Sequence, residues 1–336
     1  MKLNGGSRSW PQLVVLALIL LALGGCADVL PTPGAAAGPS AAPASHEELA
    51  RRYAPVIHQG TASDQDFITA ADFDGDWISN NNWQNQPGGD LSAHVYYSVT
   101  ETGSHWFLFY SLFHPRDYTD EPCEESDGCH ENDMESIQMV VRKDGTAQGQ
   151  LQAVETLAHS DIHLYRAEDT VGKNALKVES EVRLEEGHPE VWVETWGHGI
   201  YAKRIILVPH VVTYRVGDEA EVPGGLADED VAYRLVPIYD TLWQHRDEIG
   251  PGLAFDQPFD YRGQTLAANF DGDDYGLDKA NIPWGYNQAT GDTLLRGDWF
   301  LDPAKALQYH ASFGGEFSTG YVHNRYLDDL GLAASP

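Results

Sequence analysis

Hydrophobic positions fall into distinct regimes along the chain. Leu13 to Leu23 is an unbroken apolar run preceded by Lys2 and Arg8. It is too short and too sharply ended to remain in a bilayer as an ordinary spanning helix, so it predicts an export signal over residues 1–25. Residues 26–44 are then rich in Ala, Pro, Gly and Ser with almost no charge. Such a segment cannot bury enough surface to fold and predicts a flexible tether. From Ser45 onward the pattern becomes that of a folded domain. Ser45-His46-Glu47-Glu48 has the form of a capping box and predicts a short helix to about Arg52, ended by Pro55.

Beyond that helix the dominant signal is strand. His94 to Val99, His105 to Phe113, Glu135 to Arg142, Gln150 to His159, Leu176 to Leu184, Glu190 to Trp196 and Ile205 to Tyr214 are rich in β-branched and aromatic residues, with turn residues between them. Lys143-Asp144-Gly145-Thr146 predicts a hairpin turn. Helices are expected at Tyr239 to Glu248 and at Pro303 to Tyr309, the second capped by Asp302 with Pro303 at its first position. Many strands with few long helical patterns predict a mainly β fold, an antiparallel β-sandwich with a few short peripheral helices. One such domain is expected over residues 45–336, with a C-terminal extension whose role the pattern does not reveal.

Cysteine usage and charge refine this picture. The apolar run ends in Leu23-Gly24-Gly25-Cys26, which looks like a lipobox, so Cys26 is the expected site of palmitate-type lipidation. Ala27 stands where a retention aspartate would, and Asp28 follows it, so an outer-membrane anchor is expected. Only Cys123 and Cys129 remain, separated by five residues. In an oxidising compartment that spacing favours a disulfide over two free thiols or two soft metal ligands. The chain carries 21 Lys and Arg against 51 Asp and Glu, a formal charge of −30. Such a surface repels nucleic acid, and anionic head groups too unless cations intervene, so no nucleic-acid partner is expected.

Candidate chemistry concentrates in Tyr110-Ser111-Leu112-Phe113-His114-Pro115-Arg116-Asp117 and in His130-Glu131-Asn132-Asp133-Met134-Glu135. If a strand begins near Asp133, its period of two puts Asp133 and Glu135 on one face with Ile137, Met139 and Val141. Two carboxylates at the end of an apolar stripe are costly without a partner. A cation shared with His130 and Asp117 would satisfy them; pairing with Arg116 or Arg142 at a solvated edge is the alternative.

These residues resemble the signature of the necrosis- and ethylene-inducing-peptide-like proteins, secreted metal-binding β-sandwich cytolysins of microbes. Tyr110-Ser111 and Pro115-Arg116-Asp117 are similar to the first part of that signature. His130, Asp133 and Glu135 match the metal positions of the second, G-H-R-H-D-W-E. Ala158-His159 looks like the Ala-His that adds a polar group beside the ion. The resemblance covers roughly residues 53–210. Cys129, Asn132 and Met134 replace the glycine, second histidine and tryptophan, so it implies metal binding more strongly than cytolysis. Pro189, Val191, Trp192, His198 and Tyr201 are similar to a later strand of related vacuolar protein-sorting-like proteins, ending in H-x-H-x-Y. Trp196 replaces its first histidine. That places His198, with His159, beside the expected ligands and not among them.

Weaker signals remain. Asp72, Asp74 and Asp76, and Asp271 with Asp273, offer two possible calcium loops, though neither has EF-hand spacing. Trp77 to Trp83 and Pro283-Trp284-Gly285-Tyr286 have the composition of a glycan-binding surface. No G-x-S-x-G, H-E-x-x-H or P-loop is present. The expectation is a lipid-anchored surface protein with a divalent ion, Ca²⁺ or Mg²⁺, that binds a polar glycan or lipid head group. A metal-dependent hydrolase of phosphoester or glycan bonds, with His159 or His198 as base, and a cytolysin-like toxin are the alternatives.

Overall fold

The computed structural model describes residues 44–121, 123, 128–205, 210–272, 280–287 and 293–333. The expected signal peptide, Cys26 and nearly all of the tether lie outside these residues, as does Asp273. Among the described residues no helix is long and apolar enough to cross a membrane.

The first helix, His46–Tyr53, forms where its capping box predicts, with Glu48 N–H donating to Ser45 Oγ and Ser45 N–H donating to Glu48 Oε2. Strands His94–Thr102, His105–Asp117, His130–Arg142, Gln150–Ala158 and Asp161–Arg166 then make an antiparallel meander. Its two longest members extend past the expected ends, so that Asp117 and His130 belong to paired strands.

The predicted antiparallel sandwich is corrected at this level. The chain folds into one curled, mixed sheet of 13 strands that forms a half-barrel. Val56–Thr61 runs parallel to His188–Val193, His210–Val216 parallel to Val231–Pro237, and Val231–Pro237 parallel to His94–Thr102. Period-two alternation marks a strand and its faces but is indifferent to its neighbour's direction. Helix Tyr239 to Glu248 is also corrected, to two 3₁₀ turns at Ile238–Asp240 and Leu242–His245. Helix Pro303–His310 forms, but Asp302 gives its side chain to the Tyr321 hydroxyl instead of capping it.

Both faces of the central strands are buried. Trp106, Leu108, Tyr110 and Leu112 join one apolar cluster with Leu49, Tyr53 and Ile137, while Phe107, Phe109 and Phe113 join another with Trp243, Phe255, Trp284, Trp299 and Leu307. The C-terminal third thus covers the second face, taking the place of a sandwich's second sheet. It is tied down by polar groups as well. Buried Glu155 accepts from Trp299 Nε1 at 2.8 Å and from His310 Nδ1 at 2.9 Å. At Gly285 a Cβ would lie 1.8 Å from the Ala268 carbonyl oxygen, so this turn requires glycine to pack beneath the hairpin Phe255–Tyr261/Gln264–Phe270.

Candidate metal centre

The antiparallel register of His105–Asp117 and His130–Arg142 sets Asp117 opposite His130 and His114 opposite Asp133. At this end of the pair Asp117, His130, Asp133 and Glu135 line one cleft of about 590 Å³, together with His159. Donor atoms of Asp117, His130 and Asp133 all lie within 4.8 Å of one another. Two ligands of one ion are at most twice the metal–oxygen distance apart, about 4.2 Å for Mg²⁺ and roughly 4.6–5.2 Å for Ca²⁺. The arrangement can therefore hold a metal ion. His130 Nδ1 donates to the Asn132 carbonyl at 2.8 Å, which turns Nε2 towards Asp117, 3.3 Å from its Oδ2, where a cation would have to displace the Nε2 proton.

The electrostatics agree with a cation-binding role. Burial, then Asp133, pushes the Glu135 carboxyl well above its usual range, and burial followed by Asp133 also raises Asp117. Burial disfavours a charged His130, but Asp117 and Asp133 outweigh it and hold its pKa up at about 9. Glu135 Oε1 accepts the His159 backbone N–H at 2.9 Å, while its buried Oε2 has no hydrogen-bond partner. Three crowded carboxylates, one with an orphaned oxygen, suit a hard divalent ion. Neither Asp133 nor Glu135 pairs with an arginine: Arg142 binds Glu168, and Arg116 reaches Gln65 and the Trp83 carbonyl.

His198 is fully buried behind this group. Its Nε2–H donates to Asp66 at 3.1 Å and its Nδ1–H to Asp133 at 2.9 Å, so both nitrogens carry protons. Burial opposes that charge, but the two carboxylates raise its pKa to about 10. His198 stacks on His114 with ring centroids 3.8 Å apart and planes 7° apart. With a proton on each ring nitrogen, His198 has no lone pair to offer, so His114, His198 and Asp133 are not a ligand set in this state, although their donor atoms are close. His198 instead acts as an imidazolium that fixes Asp133. His159 is half exposed and bound to Glu194 at 3.0 Å, which raises its pKa. His198, with both nitrogens committed, is not a free general base, whereas His159 is held through Nε2 alone.

Sequence reasoning missed Asp66. Its Oδ2 accepts the Ala62 and Ser63 N–H groups and the Tyr118 hydroxyl, and its Oδ1 accepts from Trp196 N–H and His198. The capping box Ser63 to Asp66 is the one local signal that marks it. Asn132, in place of the signature's histidine, sits at φ +60° and ties the site to two loops. Its Nδ2 donates to the Ser79 and Asp271 carbonyls, and its Oδ1 accepts from Asn82.

The remaining candidates separate by what they touch. Cys123 and Cys129 form a disulfide one residue before His130. Asp74 and Asp76 cap their own turn through Asn85, Asp76 N–H and Ile78 N–H, and Asp72 lends its carbonyl to Gly75. Asp271 accepts Gly252 N–H at 2.8 Å. Trp284 is buried in the core, Trp77 stacks on His245 and Trp83 lies under Arg116, so these aromatics pack loops. Tyr286 does line the cleft, with its hydroxyl donating to the Met134 carbonyl. A third acidic group, His58 with Glu185 and Glu190, already has Arg215 and Arg183 on its carboxylates.

No protein-family model and no curated protein matches the chain. Solved structures similar to it are toxin-fold proteins of the necrosis- and ethylene-inducing type, as the sequence motif suggests. "Toxin fold for microbial attack and plant defense" is 15% identical over 59% of this chain and 79% of that one, with a TM-score of 0.31. Necrosis and Ethylene inducing Protein 2 from the causal agent of cocoa's Witches Broom disease is 16% identical over 59% and 76%, with a TM-score of 0.33. "NLPPya in complex with glucosamine" is 14% identical over 57% and 71%, with a TM-score of 0.30. Overlap this loose carries no argument about function, which rests on the residues and geometry above.

Proposed function

We propose that this chain is a lipid-anchored surface protein whose divalent ion, Ca²⁺ or Mg²⁺, binds the hydroxyl groups of a polar glycan head group. The observation that supports it is the donor set itself. Donor atoms of Asp117, Asp133 and His130 lie within 4.8 Å of one another, and Glu135 lines the same cleft with a buried Oε2 that lacks a hydrogen-bond partner. These three donors, even with Glu135 added as a fourth, leave positions on a six- to eight-coordinate ion for ligand oxygens. His198 has both ring nitrogens on carboxylates and is unavailable as a hydrolase's base, which leaves His159, held by Glu194 through Nε2 alone, as the residue that the hydrolase reading would use. Attachment through Cys26 would keep the protein on its producer, which also favours surface binding over a diffusible toxin.

Elemental analysis of the wild type and of Asp133→Ala and Glu135→Ala variants tests the site. The wild type is expected to retain about one ion per chain and the variants to lose it; unchanged metal content would sink the reading. Chelator-sensitive turnover of chromogenic phosphoesters would replace it with hydrolysis, and chelator-sensitive leakage of vesicles would replace it with cytolysis.

A further inference from the structure

The wall of the cleft that faces away from the strand ends comes from the C-terminal third, which lies outside the segment covered by the sequence motif. That wall supplies Gln257, Asn281, Asn287, Tyr286 and Arg296. Arg296 is the informative member. Its Nε donates to the Gly285 carbonyl at 2.6 Å and one terminal nitrogen to Asn281 Oδ1 at 3.2 Å, and the guanidinium lies 5.2 Å from the Phe259 ring centroid. Every one of these partners is neutral. Among the described residues Arg296 forms no ion pair, although the chain has 51 acidic residues and Arg142, Arg183 and Arg215 each hold a carboxylate. Burial without a counterion pushes its pKa down.

An uncompensated guanidinium in a cleft calls for an anion from outside. The ion with Asp117, Asp133 and Glu135 carries one net negative charge, which repels an anionic ligand unless another cation offsets it. Arg296 supplies that cation. With Nε on Gly285 and one terminal N–H on Asn281, its remaining terminal N–H groups are left to bond a carboxylate, and the Asn and Gln amides, which both donate and accept, match sugar hydroxyls. We propose that the cleft is built for a glycan bearing a carboxylate, a uronic acid, with Arg296 as the anion receptor and the metal ion as the hydroxyl receptor.

This inference rests on the metal-assisted glycan reading above. The test is calorimetric titration of the full chain, in detergent and saturated with Ca²⁺, against D-glucuronate, D-glucose and D-glucose 6-phosphate. Elemental analysis is run on the same samples. The wild type is expected to bind glucuronate at least tenfold more tightly than glucose. Arg296→Gln is expected to bring the two within about twofold while its metal content stays unchanged. Equal binding by the wild type, a ratio unmoved in Arg296→Gln, or a preference for the phosphate would each overturn the assignment. Should that variant fail to fold, Arg296→Lys keeps a charge but not the fork. Its preference is expected to fall several-fold, and a preference equal to the wild type's would overturn the assignment. Metal absent from the wild type removes both readings, whereas metal present without a uronate preference removes only this one.

Discussion

Replacing Glu135 by Gln separates a metal ligand from a structural carboxylate by the sign of its effect. Without metal, Glu135 is a buried carboxylate whose pKa burial and Asp133 push well up, and whose Oε2 has no partner. Gln keeps the acceptor for the His159 N–H and removes the charge. Removing a charge that burial and Asp133 disfavour should stabilise the metal-free protein, so in excess EDTA the variant is expected to melt above the wild type. With Ca²⁺ at a hundred times the wild-type Kd, the wild type gains about 2.7 kcal/mol by mass action. Loss of one ligand weakens affinity by about a hundredfold, which leaves the variant a gain of only ~0.4 kcal/mol at the same concentration. The variant should therefore melt above the wild type in EDTA and below it in Ca²⁺. Scanning fluorimetry in the two buffers reads the crossing directly. A variant destabilised equally in both would show that Glu135 serves packing alone.

Other residues give independent checks. His198→Gln leaves Asp66 and Asp133 without their shared imidazolium and should cost ~3–5 kcal/mol in urea unfolding, the range for a buried pair that loses one partner; a cost below 1 kcal/mol would contradict the charged state assigned to it. The Cys123–Cys129 bridge closes a short loop and should contribute about 2 kcal/mol, measured as the difference between oxidised and reduced protein. His58, His105 and His323 all have pKa values lowered first of all by burial. At these three sites the unfolded chain then binds more protons than the folded one below about pH 6.5, so their contribution to stability falls as pH drops through that value. His105→Gln should flatten the slope, and a variant whose pH dependence matches the wild type's would contradict the assignment.

The candidate ligands were legible as a group because they are local. Asp117 and His130 to Glu135 sit on two strands that pair directly, so spacing and period two place them on the same end of the sheet. Asp66 was not, because it reaches His198 across 132 residues and a lone Asp in a capping box carries no mark of that contact. The amides and Arg296 were hidden for another reason. They are scattered among Phe255, Phe270, Trp284 and Trp299, whose burial against the sheet accounts for the segment's pattern without reference to a cleft. Strand existence could be read from alternation, whereas the parallel pairings that curl the sheet depend on contacts between segments distant in sequence.

Backbone strain locates the site independently of its charges. Seven non-glycine residues among those described have positive φ, and five of them, Asn132, His159, Trp196, His198 and Gln257, border the cleft, its neighbour lined by Trp196, or the imidazolium behind it. Left-handed backbone is uncommon outside glycine and costs of order 1–3 kcal/mol where it is strained, so such residues persist only where surrounding bonds over-determine them. Here those bonds are identifiable. Asn132 is pinned by three side-chain hydrogen bonds, His198 by two carboxylates, Trp196 N–H by Asp66, and His159 N–H by Glu135 itself. The last of these couples ligand to strain, because the carboxylate that lacks a partner for one oxygen uses the other to hold a left-handed residue at the cleft rim. A cation at Oε2 would stiffen Glu135 and through it His159. Occupancy of the ion site should thus be felt at the rim where a ligand enters, which is where a metal that recognises a glycan, instead of merely bracing the fold, has to act.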